Sequence, residues 1–80
     1  MRFFTENGYE YKTTVRNNHN RIHRVDRSNG GYSLKFVSSV SRGIYGDRDL
    51  TATPNRDARK QIRSAIESHA GSPIVRESIA

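Results

Sequence analysis

The chain has 80 residues, a formal charge of +6, a pI near 10.3 and no cysteine. That excludes disulfides, thiolate metal sites and a thiol nucleophile, and it leaves room for one small hydrophobic core. Leu, Ile, Val and Phe supply only 16 of the 80 residues, so the fold is expected to be stable by only about 3–5 kcal/mol.

The opening "RFFTENGYEYKTTVR" reads as a hairpin. Asn7-Gly8 is a strong turn signal, because both positions of a type I′ turn need positive φ. Behind it, Tyr9, Tyr11, Thr13 and Val15 alternate with Glu10, Lys12, Thr14 and Arg16, the period of a half-buried strand. "NNHN" is turn chemistry. Residues 21–27 have two readings. As a helix over 20–28 they would carry Arg21, Arg24 and Arg27 on a loosely aligned face, with too little apolar surface to dock nine residues. As a strand they lead into a second hairpin turn, "SNGG". The strand is preferred, with a bulge expected to bring Ile22 and Val25 onto one face. "YSLKFVSSV" is then a strand with Tyr32, Leu34, Phe36 and Val40 on one side.

"SRGIYGDRDLTA" has the glycines and aspartates of a loop, with Ile44, Tyr45 and Leu50 expected to tuck it onto the body. Thr53 is placed as an N-cap with Pro54 at the first helical position. The helix is expected to run to about Ala70 and to end on Gly71. Ala58, Ile62, Ala65 and Ile66 give it one buried face. "IVRESIA" is either a short docked strand or a frayed tail. The expected architecture is α+β: a small antiparallel sheet of three to four strands packed against one C-terminal helix. One domain spans residues 1–71, with 72–80 as its tail. The expected core is Tyr9, Tyr11, Val15, Val25, Leu34, Phe36, Ile62, Ala65 and Ile66.

Charge is distributed unevenly. Seven cations and one acid, Asp26, lie between Lys12 and Arg42, and eleven of the fourteen cations are arginine. Arginine's planar fork of donors suits phosphates and stacked rings. With that core, Lys12, Arg16, Arg24 and Lys35 point away from the helix, and Arg21 and Arg27 lie near the strand ends. Arg56, Arg59, Lys60 and Arg63 form a second stripe along the helix. They sit against the helix dipole, beside free N–H groups after Thr53 that could cradle a phosphate. The sheet face is favoured as the site, because a β-ribbon can enter a major groove. Base stacking on Tyr9, Tyr11, Tyr32 and Phe36 is the weaker reading, since their alternation assigns them to the core.

Catalytic equipment is sparse. His19 and His23 lack a third ligand at zinc spacing. Asp47 and Asp49 read as turn formers rather than magnesium ligands. No cofactor is expected, and the chain is not expected to be an enzyme, although a small nuclease with or without metal leaves no motif to test. The expected function is nucleic-acid binding, to DNA or RNA, through Lys12, Arg16, Arg21, Arg24, Arg27, Lys35, Arg56, Arg59, Lys60 and Arg63. The alternative is a phage-type accessory or inhibitor protein that binds an acidic protein partner. The short apolar runs predict no signal peptide and no membrane span, and the missing cysteines suit a cytoplasmic setting. A homodimer would supply burial that so small a core lacks.

Overall fold

The structure, a computed structural model, describes residues 1–28, 30–41 and 56–79. Five strands and one helix follow in chain order: β1 (Arg2–Thr5), β2 (Glu10–Arg16), β3 (His19–Ser28), β4 (Gly31–Ser41), α1 (Arg56–Ala70) and β5 (Ile74–Ser78). The strands form one antiparallel sheet in the order β4-β3-β2-β1-β5, with the helix on one side. The architecture is the expected α+β, with five strands rather than three or four. The added strand is "IVRES", which pairs with β1 as an edge.

Three tight connections make the sheet. The first is not the two-residue turn expected at Asn7-Gly8. The loop spans Glu6 to Tyr9, and Gly8 takes φ +94° within it. The extra length lets the loop grip the far end of the chain. The Asn7 backbone N–H donates to Ser72 Oγ (3.1 Å), Asn7 Nδ2 donates to the Ala70 carbonyl (3.0 Å), and Glu6 N–H donates to the Pro73 carbonyl (2.9 Å). The two-residue turn with both residues at positive φ lies instead at Asn17-Asn18, φ 51° and 60°, with Arg16 paired to His19. Asparagine tolerates that left-handed conformation better than other non-glycine residues. The third turn closes between Ser28 and Gly31.

The helix buries Ala58, Ile62 and Ile66, four residues apart each time, as the sequence spacing requires. Gly71 ends it at φ +65°, its N–H donating to the Glu67 carbonyl (2.9 Å). The expected cap at Thr53-Pro54, and the loop carrying Ile44, Tyr45, Asp47, Asp49 and Leu50, lie outside the described residues.

From the sheet, Met1, Phe3, Tyr11, Ile22 and Val40 meet those helix residues. Tyr11 is fully buried, and its hydroxyl lies 2.7 Å from His69 Nδ1 on the helix. His69 packs edge-on to the Tyr11 ring. This core overturns much of the expected one. Ile22, not Val25, is the inward residue of β3, and Val25 lies on the far face between Glu10 and Leu34. Tyr9, Val15, Leu34 and Phe36 are exposed. For Leu34 and Phe36 the cause is a bulge, located on β4 rather than β3, whereas Tyr9 and Val15 share the helix side with Tyr11 but lie outside the core cluster. Ile22 pairs with Ser38, but His23 pairs with Phe36, leaving Val37 as the extra residue. One extra residue reverses the face of everything beyond it. Val40 therefore points inward while Tyr32, Leu34 and Phe36 point outward.

Candidate nucleic-acid interface

Among the described residues, the helix covers one side of the sheet and no element packs on the other, the open side. Strand register arranges the open side in rows. One row runs Ser78, Arg2, Lys12, His23, Phe36 from edge to edge. The next runs Arg76, Phe4, Glu10, Val25, Leu34. Flanking pairs add Arg27 beside Tyr32 and Arg21 between Thr14 and Ser39. Arg16 and His19 close the end nearest the Asn17-Asn18 turn. Among the described residues, this face carries six cations (Arg2, Lys12, Arg16, Arg21, Arg27 and Arg76) and one carboxylate, Glu10.

Three of these arginines lie over aromatic rings. The Arg21 guanidinium sits 4.9 Å from the Phe36 ring centre, Arg76 sits 4.0 Å from Phe4, and Arg27 sits 5.7 Å from Tyr32. Each pair lines its own shallow cleft. Phe36 and Arg21 share one with Arg16 and His19, Phe4 and Arg76 share one with Arg2, and Tyr32 and Arg27 share one with Gly31. Tyr32 and Phe36 are 60% and 56% exposed, unusual for large rings on a regular strand. His23 leans edge-on against Phe36, and its Nε2 lies 3.4 Å from Thr14 Oγ1. Burial, reinforced by Arg21 and Lys12, holds the His23 imidazole below its ordinary pKa.

Most of the negative charge is already engaged. Glu10 accepts two hydrogen bonds from Arg27, Nε to Oε1 at 2.9 Å and Nη2 to Oε2 at 3.0 Å. Arg2 approaches it at 3.9 Å. The Arg27 hydrogen bonds hold the Glu10 carboxyl below its usual range despite partial burial. Lys12, Arg16 and Arg21 form no ion pair with another described residue. They are the cations best placed to meet an anion from outside.

No family model, no curated protein and no solved structure matches the chain.

Of the ten cations the sequence singles out, Lys12, Arg16, Arg21 and Arg27 share the open face. Arg24 and Lys35, expected beside them, lie on the helix side of the sheet. There the Arg24 guanidinium covers Tyr9 and both cations grip Asp26, at 2.8 and 3.3 Å. Seating Ile22 in the core forces this, because Arg24 is two residues away and shares its face. The hydrogen bond from Arg24, helped by Lys35, holds Asp26 low. On the helix, Arg59 and Arg63 both donate to Glu77 of β5. Burial raises the Glu77 pKa, but the two arginines outweigh it and the net shift is downward. Arg56 and Lys60 are exposed on the same helix.

Sequence reasoning missed Arg2, Phe4 and Arg76 as site residues. "FF" was a usable signal, since adjacent strand residues face opposite ways and only one can enter the core. Arg76 needed β5 to be assigned as a strand. Among the described residues, no three His, Asp or Glu side chains cluster as a metal site, and no helix is long and apolar enough to cross a membrane.

Proposed function

We propose that this protein binds nucleic acid through the open sheet face, contacting phosphates with arginine and lysine. The observation that carries the reading is the imbalance on that face, six cations to one carboxylate among the described residues, on a side of the sheet the helix leaves uncovered. Three cations that pair with no described acid, Lys12, Arg16 and Arg21, favour an external anion. A regular array of like charges across neighbouring strands is unfavourable by itself, so a polyanion is the natural counterpart. It acts as a binding protein rather than an enzyme.

Titration of a labelled oligonucleotide at several salt concentrations tests the reading. Affinity should fall steeply as salt rises, because each neutralised phosphate releases a counterion. No binding at low salt refutes it. An acidic protein partner is the second reading, supported by exposed tyrosine and arginine, which anchor many protein interfaces. Stoichiometric capture of one protein together with no affinity for oligonucleotides would replace the first reading with the second.

A further inference from the structure

We infer that the ligand of the open face is single-stranded nucleic acid, with bases stacked on Phe4, Tyr32 and Phe36 and phosphates on Arg2, Lys12, Arg16 and Arg21. This inference rests on the nucleic-acid reading above and adds what distinguishes one form of the polymer from another.

Width is the first argument. Five strands at about 4.8 Å spacing set the outer strands ~19 Å apart. A major groove is about 12 Å wide, so the full face cannot enter one. The groove-reading ribbon suggested by a narrower sheet does not apply. A duplex could only rest its phosphate ridges on this surface, and its paired bases would stay out of reach of the rings.

Aromatic placement is the second. Tyr32 and Phe36 are four residues apart on β4, about 13 Å along the strand. Phe4 shares a row with Leu34, three strand spacings or ~14 Å across the sheet. Stacked nucleotides rise only about 3.4 Å each. Adjacent stacked bases therefore cannot occupy two of these rings. An unstacked chain can, placing separate bases on separate rings with nucleotides bridging between them. Sequence-tolerant single-strand binders use this combination of basic groove and exposed rings.

Pairing of ring with guanidinium is the third. Each of the three rings carries an arginine plane within 6 Å. A base seated there meets two flat surfaces, and its phosphate comes within reach of the same arginine. An apolar partner would leave the Arg21 and Arg76 guanidinium groups desolvated, whereas Arg27 keeps its hydrogen bonds to Glu10. The single-strand contacts need no sequence-reading hydrogen bonds, so DNA and RNA strands share the chemistry. Any preference between them would come from the 2′-hydroxyl.

The experiment compares three labelled oligonucleotides of about 12 nucleotides at low salt: single-stranded DNA, single-stranded RNA of the same sequence, and the DNA duplex. Fluorescence anisotropy is read for the wild type, for Phe36→Leu, and for the combined Phe4→Leu, Tyr32→Leu, Phe36→Leu variant. Leucine keeps apolar bulk on the strand, and a thermal melt confirms that each variant is folded. The single-substitution protein supplies the comparison if the combined one does not fold. Both single strands should bind at least about ten-fold more tightly than the duplex, and each lost ring should weaken single-strand binding roughly ten-fold. Duplex should be little affected by the leucine substitutions. If duplex and single strands bind equally and the leucine variants match wild type, this inference fails while phosphate binding stands. If none of the three oligonucleotides binds, the reading beneath it fails as well. Self-association through the open face, blocked by the leucine variants and unaffected by oligonucleotide, also overturns it.

Discussion

Reversing Arg16 and Arg21 together (Arg16→Glu, Arg21→Glu) tests the open face most directly. Both line the cleft at Phe36, and neither forms an ion pair with another described residue. Their loss therefore breaks no ion pair among the described residues. Single-strand binding loses about 0.7 of log–log salt slope per phosphate contact. The four phosphate-contacting cations, Arg2, Lys12, Arg16 and Arg21, give a slope near −3, so raising salt four-fold weakens wild-type binding roughly 50-fold. Removing two contacts lowers the slope to about −1.4, and the same salt change then weakens binding only roughly 7-fold. The double reversal also takes the net charge from +6 to +2, two units per substitution. A matched pair on the helix, Arg56→Glu with Lys60→Glu, makes the same change at exposed positions away from the sheet face. Anisotropy titrations across the salt range should show the shallower slope for the sheet pair and a near wild-type slope for the helix pair. Equal slopes for both pairs would show that net charge alone governs binding and would refute the assignment of the face.

Three further outcomes follow from the packing and the titrating groups. Phe3 is fully buried and Phe36 is not. Phe3→Ala should therefore cost about 3–5 kcal/mol, comparable to the whole stability of so small a domain, whereas Phe36→Ala should leave the urea midpoint nearly unchanged; the reverse order would mean that the sheet faces are misassigned. Asn20 is completely buried between Val15 and Val40, and neither its amide oxygen nor its nitrogen has a partner among the described residues. Asn20→Leu, nearly the same shape, should gain about 1–3 kcal/mol and raise Tm by several degrees, and a lower Tm would show the amide to be hydrogen-bonded after all. In acid, Glu10, Asp26 and Glu77 all have lowered pKa values in the fold. Their contribution is fully present above the ordinary carboxylate pKa of about 4 and disappears as pH falls through the lowered values. His23, also lowered, adds a smaller loss that begins as pH drops below its ordinary value near 6.5. Thermal melts at successive pH values should show that shallow early decline in wild type and not in His23→Gln.

The open face also changes how the surface charge is to be understood. Fourteen basic residues suggest one diffuse cationic surface, but the fold divides them. Asp26 engages Arg24 and Lys35, and Glu77 engages Arg59 and Arg63. Both clusters lie on the helix side of the sheet, where they join strand to strand and helix to edge strand. Exposed ion pairs of this kind contribute little stability each, but they reduce the attraction of that side for a polyanion. The asymmetry between the two sides of the sheet comes as much from where the acids fall as from where the arginines do.

Local sequence by itself determined the first four strand segments but not β5, along with the hairpin positions, the buried stripe of the helix and its stop at Gly71. Each rests on interactions among near neighbours: a period of two or 3.6, an asparagine or glycine able to take positive φ, a proline that blocks continuation. Those signals carry no information about which side of a strand meets the helix. In β3 the alternation fits Ile22 inward or Val25 inward equally well, and in β4 the run Tyr32, Leu34, Phe36 looks like a core face. Tertiary structure decided both. The helix accepts Ile22 and Val40, and the single extra residue at Val37 turns the aromatic half of β4 outward. Packing against a distant element sets the phase of a strand, and one bulged residue inverts it. The aromatic rings and their arginines consequently became a surface only when the sheet closed on its helix.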